Sequence, residues 1–255
     1  MSTDKGTLLL QAEGLKLRFG GIIAADGINL SLYKGEHLAI IGPNGAGKTT
    51  FLNICTGYLK PDAGKVTLNG REITGRPPRS ITRMGVARAF QIPQLFTGHT
   101  VLENMLLAAS VRERHWGLLR NLMRIPERAE MEHLLDMVGC ADVRDRLASE
   151  LPEGKRKLVD IAVALALKPE VLLMDEPTSG VATADKFGVM ETLMKALREA
   201  GVSSVFVEHD MEMVGLYATR VAVWAQGIIQ MTGEPKTVLN DPDVIRNVIG
   251  SGEHA

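Results

Sequence analysis

In GINLSLYKG the apolar side chains alternate with polar ones. Ile28, Leu30 and Leu32 fall on one side and Asn29, Ser31 and Tyr33 on the other, so a half-buried strand closing in a Lys34–Gly35 turn is predicted. HLAII, residues 37–41, is apolar without interruption and reads as a fully buried strand, followed by a Gly-rich loop and a helix to about Tyr58. KPDAGKVTLNG adds a turn, a short strand through Val66 and Leu68, and an Asn69–Gly70 turn. Near residue 97 the period changes. TVLE at 100–103 is a capping-box pattern, and helical spacing then dominates: 101 to about 115, Pro126 to Val138, and LPEGKRKLVDIAVALAL at 151–167. Strand and helix alternate afterwards, with VLLMD at 171–175, a helix over 183–200, SSVFV at 203–207 and RVAVW at 220–224. This order predicts an α/β core with an inserted all-helical lobe.

The helix within 151–167 begins oddly. Lys155, Arg156 and Lys157 crowd its first turn, where the helix dipole is already positive. Such a cluster suits an end that faces an anion.

Bulk composition narrows the classes. Lys plus Arg number 29 against 30 for Asp plus Glu, which argues against a general nucleic-acid binder. Two cysteines, Cys55 and Cys140, are too few for a disulfide framework and point to a reducing compartment. MSTDKGTLLLQAEG lacks the apolar core of a secretory signal, and no run reaches membrane-spanning length, so a soluble cytosolic chain is expected.

Gly42-Pro43-Asn44-Gly45-Ala46-Gly47-Lys48-Thr49 fits G-x-x-x-x-G-K-[ST] between a predicted strand and a predicted helix. Its glycines let backbone N–H groups converge on phosphate oxygens, and the helix dipole adds to them. Lys48 would reach the outer phosphates and the Thr49 hydroxyl would ligate magnesium. VLLMDEP then supplies an acidic strand end: Asp175 to hold the metal, and Glu176 to deprotonate an attacking water as general base. A nucleoside triphosphate and Mg2+ are therefore the expected ligands.

With these two halves placed, the chain resembles the ATP-binding-cassette (ABC) ATPases, the motor subunits of membrane transporters, from about Leu8 to Gly250. The resemblance implies ATP as the nucleotide, and a P-loop core with an antiparallel β subdomain and an inserted helical lobe. All of 1–255 would form one ABC ATPase domain, with 8–96 and 168–250 as catalytic core and 97–167 as lobe. It implies that Phe19 in LRFGG stacks on adenine, although a Phe beside strands also reads as core. It assigns Gln91 in ARAFQIP to sensing the γ-phosphate and magnesium, and His209 in VFVEHD to contacting that phosphate and supporting Glu176. Residues 42–50, through Thr50, would cradle the nucleotide.

The stretch at 151 lies where the family usually carries Leu-Ser-Gly-Gly-Gln, facing the ATP bound to a second subunit, so Leu151 and Gly154 are expected at the nucleotide. Pro152 replaces the serine and offers neither N–H nor hydroxyl. Lys155 replaces the glutamine; it or Arg156 could restore attraction to phosphate, while Arg156 or Lys157 could instead point to solvent. Ala182, in SGVA, stands where the family often has an aspartate.

LRFGGIIAADGINL, GPNGAGKTTFLNICTGYLKPDAG, FQIPQLFTGHTVLEN and VEHDMEMV look like the branched-chain amino-acid uptake ATPases within this family. The expected partners are transmembrane permease subunits, a second ABC ATPase subunit (identical or different) and, indirectly, a periplasmic or extracellular substrate-binding protein. No nucleic acid is expected. The chain would sit in the cytoplasm, peripheral on the inner face of the membrane, moving branched-chain or hydrophobic amino acids, or relatives such as urea or amides. Ile92–Phe96 is the expected docking edge, since Leu95 and Phe96 would be costly to leave bare, with packing against the lobe as the alternative. The basic–aromatic stretch 111–124 reads as a solvated helix face or a surface for membrane or partner. Two other readings stay open: a cassette ATPase acting on nucleic acid or ribosomes, and a regulatory cassette with one degenerate composite site.

Overall fold

The computed structural model describes residues 6–113 and 126–246; most of the 111–124 stretch lies outside the described residues. In chain order the N-terminal half comprises β1 (Leu8–Phe19), β2 (Ile22–Tyr33), β3 (His37–Ile41), α1 (Lys48–Cys55), β4 (Ala63–Leu68), β5 (Arg71–Glu72), α2 (Pro78–Met84) and β6 (Val86–Ala89). Helices α3 (Val101–Arg112), α4 (Arg128–Met137) and α5 (Glu153–Ala166) follow, with two short 3-10 turns between α4 and α5. The chain then returns to alternation with β7 (Val171–Asp175), α6 (Lys186–Glu199), β8 (Ser203–Val207), α7 (Met211–Tyr217), β9 (Arg220–Ala225), β10 (Ile228–Gly233), α8 (Pro235–Leu239) and α9 (Pro242–Val244).

Two sheets organise these elements. One is antiparallel, in the order β2-β1-β4-β5; the other has the order β10-β9-β3-β8-β7-β6 and is parallel except for the β10 edge. The parallel strands are apolar throughout because both faces are covered. Successive side chains point to opposite faces, and the core divides accordingly. Leu38, Ile40, Leu173, Val205 and Val207 pack toward the antiparallel sheet and α1, whereas Ala39, Ile41, Leu172, Met174 and Phe206 pack toward α3, α5 and α6. Polar residues inside these strands are satisfied: Ser203 Oγ accepts the Gly35 N–H at 2.8 Å, and Ser204 Oγ lies 2.9 Å from His37 Nδ1.

Several local expectations reappear as geometry. Thr100 Oγ1 accepts the Glu103 N–H while Glu103 Oε2 accepts the Thr100 N–H, a complete capping box that starts α3. Asn69 and Gly70 both have positive φ, the form a tight hairpin between β4 and β5 requires. Other boundaries shift. Helix α1 stops at Cys55, short of Tyr58, because Gly57 turns left-handed and the Thr56 hydroxyl bonds back to Leu52 O. The helix expected from 183 begins only at Lys186, after a turn closed by Asp185 N–H on Ala182 O.

Candidate functional site

The loop of residues 42–47 leaves the C-terminal end of β3 and enters α1 at the edge where the parallel strands end. Two glycines there are steric necessities. A Cβ on Gly42 would lie 1.9 Å from the Trp224 carbonyl oxygen, and one on Gly47, at φ 107°, would lie 2.0 Å from Ala24 O. The loop is thus wrapped tightly against β2 and β9, with Ala46 buried and Asn44 and Gly45 exposed at its tip. Lys48 lies along the inside of the loop and donates to Gly42 O (2.6 Å) and Pro43 O (2.9 Å). Burial pulls its ammonium below the usual lysine range, opposed by Glu176 and Asp175. The cleft beside the loop has a volume of about 350 Å³ and is lined by Phe19, Gly45, Lys48, Thr49, Thr50 and Glu176 among others. Phe19 is exposed at its mouth, so the core reading of that ring does not hold.

Asp175 ends β7 directly beneath α1. Its Oδ1 accepts from Thr49 Oγ1 at 3.4 Å, and its Oδ2 pairs with Arg88 Nη2 at 3.1 Å, both side chains only 6% exposed. Arg88, on β6, also donates to Asn53 Oδ1 and stacks its guanidinium over Phe90. With Oδ2 held, Oδ1 and the Thr49 hydroxyl remain side by side, an oxygen donor pair suited to magnesium, which takes one or two protein oxygens and fills its octahedron with water and phosphate.

Glu176 has a left-handed backbone, φ 49°, fixed by its N–H bonding Val207 O at 3.0 Å. Its carboxylate lies between two groups supplied by other strand ends: His209 Nε2 is 2.9 Å from Oε1, and Gln91 Nε2 donates to Oε2 at 2.8 Å. Gln91 thereby directs its amide nitrogen at Glu176 and keeps its amide oxygen for a ligand. The residues Lys48, Thr49, Asp175, Glu176, His209 and Gln91, far apart in sequence, therefore share one edge of the parallel sheet.

At 151–157 the geometry departs from expectation. Leu151 is buried, Pro152 is the N-cap of α5, and Gly154 lies in its first turn against Val189. The three cations do not project together. Lys155 turns back onto the Gly139 carbonyl and the Asp142 carboxylate of the lobe. Arg156 pairs with Glu153 at 2.9 Å, one helical turn away. Lys157 is not in solvent: it is buried, and its ammonium reaches Gln91 O and Glu176 O. The anion-facing cluster read from the sequence is therefore replaced by three separate pairings. Arg88 and Lys157 were missed as parts of the site. A signal for Lys157 existed, since it lies four residues before buried Ile161 and so on the same face of α5.

A glycine loop at the end of a parallel strand, opening a helix and facing an aspartate and a glutamate at the end of another strand of the same sheet, defines a P-loop nucleotide-binding protein. The comparisons narrow that class. Residues 25–179 match the ABC transporter family model. The chain is 37% identical over 250 residues to the high-affinity branched-chain amino acid transport ATP-binding protein LivG of Escherichia coli K12, covering 95% of this chain and 98% of that one. It is 35% identical to BraF of Pseudomonas aeruginosa, which bears the same description, with the same coverage. Among solved structures, the ADP conformation of MJ1267, an ATP-binding cassette of an ABC transporter, superposes with a TM-score of 0.84 at 32% identity, covering 96% of this chain and 99% of that one. The chain belongs to the ABC transporter family, as one of its ATP-binding cassette ATPases.

Proposed function

We propose that this chain hydrolyses ATP to drive a membrane importer of branched-chain or related hydrophobic amino acids, with Glu176 as the general base. The observation that carries the reading is the Glu176 carboxylate held between His209 and Gln91 at the rim of the P-loop cleft. Backbone N–H groups of residues 42–50, Pro43 excepted, and the Lys48 ammonium hold the phosphates, and Phe19 stacks on the adenine. Thr49 and Asp175, with Gln91, would hold Mg2+, which would supply charge to neutralise the phosphates. Glu176 takes the proton of the attacking water, and His209 fixes the orientation of that carboxylate and faces the γ-phosphate.

The substrate and the partners follow from LivG and BraF, whose descriptions name branched-chain amino acid transport. No helix among the described residues is long and apolar enough to cross a membrane, in keeping with separate permease subunits. Ile92 and Phe96 are 74% and 62% exposed and form the docking edge, whereas Leu95 packs inward on the core. Leu151 and Gly154 at the tip of α5 face the nucleotide of a second ATPase subunit. We read 8–96 and 168–250 as the catalytic core and 97–167 as the lobe of one domain. One apolar cluster that runs from Ile41 through Leu106 to Leu158, and so spans both parts, supports that unity. The chain would lie on the cytoplasmic face, with a substrate-binding protein on the far side.

Glu176→Gln tests the central assignment. It should bind ATP with unchanged affinity and lose turnover by at least about a hundredfold. Turnover near the wild-type rate removes Glu176 from the role.

A further inference from the structure

Lys157 is 2% exposed, in a helix whose neighbouring cations are occupied elsewhere. A buried ammonium is costly unless hydrogen-bonded, and this one is bonded to two main-chain oxygens, those of Gln91 and Glu176, the second at 3.3 Å. The same two residues are joined through their side chains, Gln91 Nε2 to Glu176 Oε2 at 2.8 Å. Three residues from three elements therefore close a ring: Lys157 to the Gln91 carbonyl, the Gln91 amide to the Glu176 carboxylate, and the Glu176 carbonyl back to Lys157. One turn further along α5, buried Asp160 accepts the Gln94 N–H at 3.0 Å through Oδ1. Two side chains on one face of α5 thus grip both ends of the 91–94 segment by its backbone. Apolar side chains of the same size would fill this space without loss of packing, but they would leave the two carbonyls unpaired and the ring open.

We propose that Lys157 is a positioning residue for hydrolysis: it locks the Gln91 and Glu176 backbones to α5, so that any turn of α5 moves the Gln91 amide and the Glu176 carboxylate together. The proposal rests on the reading of Glu176 as general base. It also connects the tip of α5, at Leu151 and Gly154, to the reacting centre without any contact between Lys157 and the nucleotide.

The test compares steady-state ATP hydrolysis and binding of a fluorescent ATP analogue by the full chain carrying Lys157→Met, Lys157→Arg, Gln91→Ala, or Gln91→Ala with Lys157→Met. Lys157→Met should lower kcat by about ten- to a hundredfold, as misplacement of a reacting group does, while analogue affinity and KM stay within about twofold. Lys157→Arg, which can still donate to both carbonyls, should recover part of kcat. The double variant should lose less than the product of the single losses, because both act through one ring. Wild-type kcat in Lys157→Met, a fall of affinity in step with kcat, or multiplicative losses in the double variant would overturn the proposal. If Lys157→Met does not fold, Lys157→Gln is used; it reaches at most one carbonyl and should show an intermediate kcat, and a wild-type value there is equally fatal. Glu176→Gln separates the two levels: an active Glu176→Gln defeats the underlying reading, whereas an inactive one beside a fully active Lys157→Met defeats this inference alone.

Discussion

Arg88→Met removes a cation from the most deeply buried ion pair described at the site while keeping much of its packing volume. In the intact chain Arg88 contacts Asp175 at 3.1 Å with both side chains 6% exposed, bonds Asn53 and covers the Phe90 ring. Removing it strands the Asp175 carboxylate in the interior, a change that costs about 3–5 kcal/mol in comparable buried pairs. Asn53 Oδ1 also loses its donor, adding about 1 kcal/mol. Part of this is offset, because Arg88 is itself desolvated and buries its Nε without a hydrogen-bond partner. A net loss of about 3–5 kcal/mol remains, which for a domain of this size lowers Tm by roughly 6–20 °C at ~2–4 °C per kcal/mol. Urea unfolding of nucleotide-free protein, followed by circular dichroism, measures it. Asp175→Asn should be destabilising for the converse reason. The double variant, with neither charge buried, should recover at least about 2 kcal/mol relative to the sum of the singles. Additivity within about 0.5 kcal/mol would show that the two side chains do not stabilise one another, and the argument would fail.

Gly47→Ala places a methyl 2.0 Å from Ala24 O in a left-handed backbone, so it should abolish binding of a fluorescent ATP analogue and lower Tm; retention of wild-type affinity would contradict the close approach. Burial lifts Asp160 from 3.8 to about 6, with backbone N–H bonds from Gln94 and Phe90 and the charge of Lys157 opposing it. A raised carboxyl pKa contributes stability that is complete below about pH 4 and lost as pH rises through about 6, so Asp160→Asn should flatten the stability profile over that window. At pH 7 the variant should be the more stable by up to about 3 kcal/mol, less what its amide group loses against the Phe90 N–H; identical profiles from pH 4 to 7 would refute this. Thr100→Ala deletes one half of the α3 capping box and should cost about 1 kcal/mol in urea unfolding, with no effect on nucleotide affinity.

What could be read without coordinates was whatever is local. The P-loop, the capping box, the Asn69–Gly70 turn and the apolar strands 37–41, 171–175 and 203–207 are each written in a few adjacent residues, and each is present in the structure. Edge strand β10 escaped because none of its residues is buried, so no apolar period marks it. Arg88 escaped because its partner is reached only through the parallel pairing of β6 with β7. The three cations of α5 were misjudged for a related reason: sequence spacing groups Lys155, Arg156 and Lys157, but at 100° per residue they look in three directions and meet three different parts of the chain.

The grip on the 91–94 segment is made entirely through main-chain atoms, the Gln91 carbonyl and the Gln94 amide. Side chains at Ile92 and Phe96 take no part in holding it and stand open to the outside. On the docking role proposed for this edge, those two positions are free to change with the membrane subunit while the linkage behind them stays intact. Swapping docking specificity between relatives should need only surface exchanges along this segment, with the engine left untouched.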